Sequence, residues 1–188
     1  MARAVFLDRD GVINRTIVRN GLPYPPHNLA ELEVLPGVAE SLRRLREAHY
    51  YLIVVTNQPD VARGTQTKET VEAIHNFLKA QLPIHDFRVC YHDDSANCHC
   101  RKPKPGMILD AAEVYDIDLS QSFLVGDRWR DIEAGSRAGC KTIFIDYHYS
   151  EPNHSQPDIV LHSLAEAADW ILDKGSEHSF RSDFSHSK

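Results

Sequence analysis

The sequence predicts an α/β fold, a Rossmann-like three-layer α/β/α arrangement with a parallel sheet. Three observations carry that reading. Six short apolar runs recur along the 188 residues. Segments with apolar residues at three- and four-residue spacing separate most of them, as crossover helices require. The length suits one domain with a single core, and hydrophobic residues at 42% with charged residues at 26% are ordinary globular proportions.

In chain order, AVFL (4–7) is the first strand. Residues 15–35 contain Pro23, Pro25 and Pro26 and read as a loop, too short for a folded cap domain, so only loops roof a site at this end. After Pro36, GVAESLRRLREAH (37–49) is a helix, followed by the strand YLIVV (51–55). ETVEAIHNFLKAQL (69–82) and FRVCY (87–91) repeat the pattern, as do GMILDAAEVY (106–115) and SFLV (122–125). DIEAGSRAG (131–139) ends at Gly139 as helices commonly do, before the strands TIFI (142–145) and DIVL (158–161). SLAEAADWILDK (163–174) closes the domain, expected over 1–174. The remaining GSEHSFRSDFSHSK (175–188) holds five serines and no periodic apolar face, and is expected to be a disordered tail.

A formal charge of −6 argues against a phosphate-backbone surface, so no nucleic-acid partner is expected. No window approaches a membrane span, and the N-terminus lacks a basic start followed by an apolar stretch. The expectation is a cytoplasmic monomer acting on a small molecule.

In an open parallel sheet, ligands bind beyond the carboxyl ends of the strands, where strand order reverses. The first run ends at Asp8 and Asp10 (LDRDG), the second at Thr56 and Asn57 (VVTNQ). The third leads through a loop to Arg101 and Lys102 (CRKPKPG), and the fourth reaches Asp127 (LVGDRWRD). Three carboxylates around one point repel one another unless a hard divalent cation such as Mg2+ sits between them, and that cation attracts phosphate. Thr56 and Lys102 can then hydrogen-bond the phosphoryl oxygens, with Asp8 as nucleophile and Asp10 as acid and base. A lone Asp-x-Asp at a strand end is often only a turn; here it comes with three further motifs in register. Asp131 suits either a helix N-cap or a place behind the metal, and Arg63-Gly64 reads as a loop cap. A non-catalytic phosphosugar-binding protein would need no general acid, and no GxxxxGK[ST] string points to a nucleotide kinase.

Three of the four cysteines lie within eleven residues, which is not a distributed disulfide framework. Cys90-x-His92 and Cys98-x-Cys100 supply four ligands for a closed, structural Zn2+ site. His99 should then point away, and Cys140 reads as a packed core thiol. Because the loop runs directly into Arg101 and Lys102, zinc would order the phosphate-binding rim.

These motifs resemble those of the haloacid dehalogenase superfamily phosphatases: Asp8-Arg9-Asp10-Gly11, Thr56, Lys102, and Gly126-Asp127 through Asp131, in order over roughly residues 4 to 145. The resemblance implies the fold of that superfamily. It also implies that Asp8 forms an aspartyl-phosphate, that Asp10 protonates the leaving oxygen and then activates water, and that Asp8, the Asp10 carbonyl and Asp127 hold Mg2+. The zinc loop followed by RKPKPGM, together with TNQ…ARG (56–64), is similar to D-glycero-D-manno-heptose 1,7-bisphosphate 7-phosphatases and to histidinol-phosphate phosphatases. By that narrower resemblance the fold is the capless form with a zinc loop, and Asn57, Gln58 and Arg101 are substrate-binding, with a small phosphorylated sugar as the expected substrate. Two departures stand out: Pro59-Asp60 replaces the Ser-Gly typical of the heptose enzymes, and the 15–35 segment is longer and richer in proline.

Overall fold

The computed structural model describes residues 1–152 and 155–182, with side chains as far as Gly175. Six parallel strands form the sheet: β1 (Arg3–Leu7), β4 (Tyr50–Asn57), β5 (Asp86–Cys90), β6 (Phe123–Gly126), β7 (Lys141–Ile145) and β8 (Ile159–Leu161). Their order is β5-β4-β1-β6-β7-β8, so the chain moves outward from β1 first one way and then the other. That reversal opens the crevice beside β1 and β6, and it is where Asp8 and Asp127 emerge.

Alternation along β1 builds both faces of the core. Val5 and Leu7 pack with Leu52, Val54 and Val125 against α1 (Val38–Glu47) and α5 (Leu164–Ser182), joined by Ile74 and Leu78 of α2 (Lys68–Gln81). Ala4 and Phe6 pack with Ile53, Val55 and Leu124 against α3 (Gly106–Tyr115) and α4 (Trp129–Ala138). Ala4 through Leu7 are fully buried, as a central strand covered on both faces must be.

The structure differs from the sequence reading in two places. Residues 15–35 are not a plain loop: β2 (Ile17–Arg19) and β3 (Leu22–Tyr24) form an antiparallel ribbon, followed by a single helical turn at Leu29–Glu31. The ribbon turns at Asn20 and Gly21, both with positive φ, and docks where the Ser150 amide donates to the Gly21 carbonyl at 2.8 Å. Secondly, α5 continues through Ser182, past the expected boundary at 174. The rest of the expected tail, 183–188, lies outside the described residues. Among the described residues no helix is long and apolar enough to cross a membrane.

Candidate active site

Asp8 follows β1, and its amide donates to the Val125 carbonyl, which extends the β1–β6 pairing and brings the first and fourth motifs side by side. Asp8, Asp127 and Asp131 are all buried, with carboxylate oxygens within 4.8 Å of one another. Gly11 (φ +86°) makes room for this: a Cβ there would lie 1.9 Å from Asp127 Oδ2. At Gly126 a Cβ would meet the Asp131 side chain at 2.2 Å. Both glycines of these motifs are therefore required by the close approach of carboxylates.

Lys102 Nζ donates to Asp8 Oδ1 at 2.8 Å and to the Val55 carbonyl at 2.7 Å, and pairs with Asp131 Oδ1 at 2.5 Å. These partners engage all three ammonium protons, so in this structure Lys102 is directed at Asp8 and Asp131. Burial alone would push the Lys102 pKa down, but the Asp131 and Asp8 carboxylates outweigh it and hold the pKa up. Asp8 is raised to about 6 by burial, against the opposing pull of Lys102. Asp131 also fills both roles considered for it: Oδ2 accepts from the Arg128 amide at 3.0 Å at the start of α4, while Oδ1 meets Lys102.

Asp127 is raised well above the usual carboxylate range, first by burial and then by Asp8 and Asp131. Its Oδ2 accepts from the Tyr149 hydroxyl at 3.0 Å, but its Oδ1 is buried without a partner. A buried carboxylate oxygen aimed at nothing, beside two more carboxylates and one lysine, fits a hard divalent cation.

Asp10 lines the cleft and is gripped from behind. Arg9 reaches both of its oxygens, at 2.9 and 3.0 Å, Asn14 Nδ2 donates to Oδ1 at 2.9 Å, and Gln58 Nε2 donates to Oδ2 at 2.9 Å. Gln58 also donates to Thr56 Oγ1 at 3.0 Å and is buried, so it ties Asp10 to Thr56 and is not among the residues lining the cleft. Asn57 clamps the backbone of Lys102 with two hydrogen bonds of 3.1 Å while lining the cleft. Sequence reasoning missed Arg9, Asn14 and His75, which meet Asp10 or its partners only in three dimensions.

The cleft above these groups has a volume of about 310 Å³. Leu22, Pro23, Tyr24 and Pro25 form one wall; Pro59, Asp60 and Arg63 form another. Both departures from the heptose-phosphatase pattern therefore border it. Arg101, Arg128 and Arg130 complete the rim, a basic set larger than the sequence indicated. Asp94 holds Arg101 at 2.9 Å and Arg130 at 3.2 Å, and Arg128 pairs with Glu151. The Arg101 guanidinium beside it brings Asp94 down to about 2.

Cys90, His92, Cys98 and Cys100 come together as expected. The three sulfurs are 3.2 to 3.7 Å apart, and His92 Nδ1 lies 3.4 and 3.7 Å from Cys100 and Cys90. A tetrahedral zinc site has sulfur–sulfur edges of about 3.8 Å, so the cluster has the shape for that ion. His99 points away, to Asp110 at 3.0 Å. Cys140 is buried at the edge of the core, as expected. Lys104 Nζ ties Asn97 and the Cys98 carbonyl, while Arg101 donates to the His92 carbonyl at 3.2 Å, so the metal loop and the cleft share a backbone.

A parallel sheet that presents, at its switch point, a buried carboxylate paired with a lysine beside further carboxylates that could hold a cation has the arrangement of a phosphoryl-transferring hydrolase. The family model described as HAD-hydrolase-like matches residues 99–167. The chain is 39% identical over 151 residues to D-glycero-beta-D-manno-heptose-1,7-bisphosphate 7-phosphatase of Rhodopseudomonas palustris, covering 72% of this chain and 79% of that one. It is 32% identical over 191 residues to D-glycero-D-manno-heptose-1,7-bisphosphate 7-phosphatase of Thermosynechococcus vestitus, covering 89% and 94%. Among solved structures, D,D-heptose 1,7-bisphosphate phosphatase from B. bronchiseptica, complexed with magnesium and phosphate, superposes with a TM-score of 0.76 at 30% identity, covering 92% and 99%. The chain belongs to the haloacid dehalogenase-like hydrolases, in the family of these phosphatases.

Proposed function

We propose that this phosphatase removes the 7-phosphate of D-glycero-D-manno-heptose 1,7-bisphosphate, acting as a cytoplasmic monomer with Mg2+ at the Asp8–Asp127 site and structural Zn2+ in the Cys90–Cys100 loop. The observation that carries the substrate is the arginine rim. Arg63, Arg101, Arg128 and Arg130 line the same cleft as Asp8 and Asp10, so a second anionic group on the substrate has partners there. The names of the relatives support the same substrate.

Mg2+ bound by Asp8, Asp127 and the Asp10 carbonyl would neutralise charge on the phosphoryl oxygens. Thr56, at the end of β4 and facing the cleft, donates its hydroxyl to one of those oxygens. An Asp8 oxygen bonds to phosphorus as the bond from phosphorus to the sugar oxygen breaks, and Asp10 gives its proton to that oxygen. Water then attacks the aspartyl-phosphate, passing its proton to the Asp10 carboxylate, so phosphate leaves and Asp8 is restored. Lys102 keeps the Asp8–Asp131 pair tolerable throughout.

The test is phosphate release, with Mg2+, from the α and β anomers of heptose 1,7-bisphosphate and from histidinol phosphate, with phosphorus NMR to show which phosphate is lost. We expect a bisphosphate anomer to give the highest kcat/KM, with the 7-phosphate released. A higher value for histidinol phosphate, or loss of the 1-phosphate, would overturn the assignment.

A further inference from the structure

We propose that His75 is a positioning residue of the active site: its neutral imidazole holds Arg9, and Arg9 holds the general acid–base Asp10 in register with the leaving group. Arg9 is fully buried, and its guanidinium is engaged on both sides. Nε and Nη2 donate to the Asp10 carboxylate, and Nη1 lies 3.1 Å from His75 Nε2. Arginine has no acceptor, so Nε2 accepts and the ring proton sits on Nδ1. His75 is itself held: it lies in α2, is buried, and stacks on Phe87 of β5 with ring centroids 4.7 Å apart and planes 23° from parallel.

The geometry explains why a fixed histidine belongs there. A guanidinium bonded to one carboxylate can still pivot about that carboxylate, and Asp10 would pivot with it. A third point of attachment on another element removes that freedom, and α2 packed on the sheet supplies it. Losing the imidazole would leave Arg9 Nη1 buried and unpaired, so the arginine would shift toward other acceptors and draw Asp10 with it. Asn14 and Gln58 keep hold of Asp10 from other directions, so the effect is a misplacement rather than a loss.

A misplaced general acid is felt only where the leaving oxygen needs a proton. The test is therefore kcat/KM over a series of aryl phosphates from phenyl to 2,4-dinitrophenyl phosphate, because this constant covers transfer of the phosphoryl group to Asp8. A comparison of variants within one series is independent of which sugar phosphate the enzyme takes. For His75→Leu we expect a loss of about tenfold or more on phenyl phosphate, a change under about twofold on the dinitrophenyl ester, and a steeper dependence on leaving-group basicity. His75→Gln, whose amide oxygen can accept from Arg9, should restore the shallow dependence. His75→Ala, which leaves room for a water beside Arg9, serves as the second variant if leucine impairs folding. Equal losses across the series, or none, would overturn the proposal, since a merely structural role would not sort substrates by leaving group.

Discussion

Asp8 and Asp10 sit two residues apart and have different neighbours, which suits the different parts proposed for them. Asp8 meets a buried lysine and two more carboxylates; Asp10 meets an arginine and two amides. Asp8→Asn should fold and release no phosphate, whereas Asp10→Asn should lose on the order of 10²–10⁴ in rate. Phosphate assays beside circular dichroism check both, and turnover by folded Asp8→Asn would remove the aspartyl-phosphate. His75 gives a stability prediction with a definite sign. Burial, then the charge of Arg9, lowers its pKa to about 3 from 6.5, so between those values the unfolded chain binds a proton that the folded one refuses. Stability should therefore be complete above about pH 6.5 and fall as pH drops, by at most about 1.4 kcal/mol per pH unit from this group. Urea midpoints between about pH 5 and 7 should fall more steeply for wild type than for His75→Gln, and parallel curves would refute this. The sequence displayed Asp8, Asp10 and Asp127 because each ends an apolar run. It could not display the pairing of Arg9 with His75, 66 positions away, since only the packing of α2 on the sheet brings them together.

The elements were legible where the sequence carries an apolar run or an apolar period. All six strands could be read, and β1, β4, β6 and β7 most plainly, because each carries an unbroken apolar run of three or more buried residues. The β2–β3 ribbon could not. Its strands have three residues each, Val18, Leu22 and Tyr24 face solvent, and Pro23 sits in the second strand, so no alternation marks it. The zinc loop was legible for the opposite reason: its ligands are chemically distinctive and local, and the shape they make needs no distant partner. Elemental analysis should find about one zinc per chain, and stripping it should lower both thermal stability and activity, because Arg101 and Lys102 directly follow the last ligand. An unchanged melting temperature after stripping would show that the loop is held by its hydrogen bonds alone.

At the scale of the whole molecule, a chain of net charge −6 sets four arginines on the rim of one cleft whose lining also holds seven carboxylates. What an anion meets there depends on where the individual arginines stand, and net charge does not show that. Arg101→Ala should lower kcat/KM for a sugar bisphosphate by about ten- to a hundred-fold, or roughly 1.5–3 kcal/mol for a charge-assisted bond, and far less for p-nitrophenyl phosphate. Equal losses on the two would mean that Arg101 serves the transferred phosphoryl group.

Asp94 lies between His92 and Cys98 of the cluster proposed to hold zinc and grips two arginines of the cleft. Metal retention and anion binding therefore draw on the same short stretch of chain, and thermodynamic linkage makes any influence between them mutual. If zinc keeps Arg101 and Arg130 in place for a phosphate, then a phosphate seated on those arginines must make zinc harder to remove, by the same factor. Saturating inorganic phosphate should accordingly raise the concentration of chelator needed to extract the metal at equilibrium. In the Asp94→Ala protein that protection should shrink, although none of the four ligands has been altered.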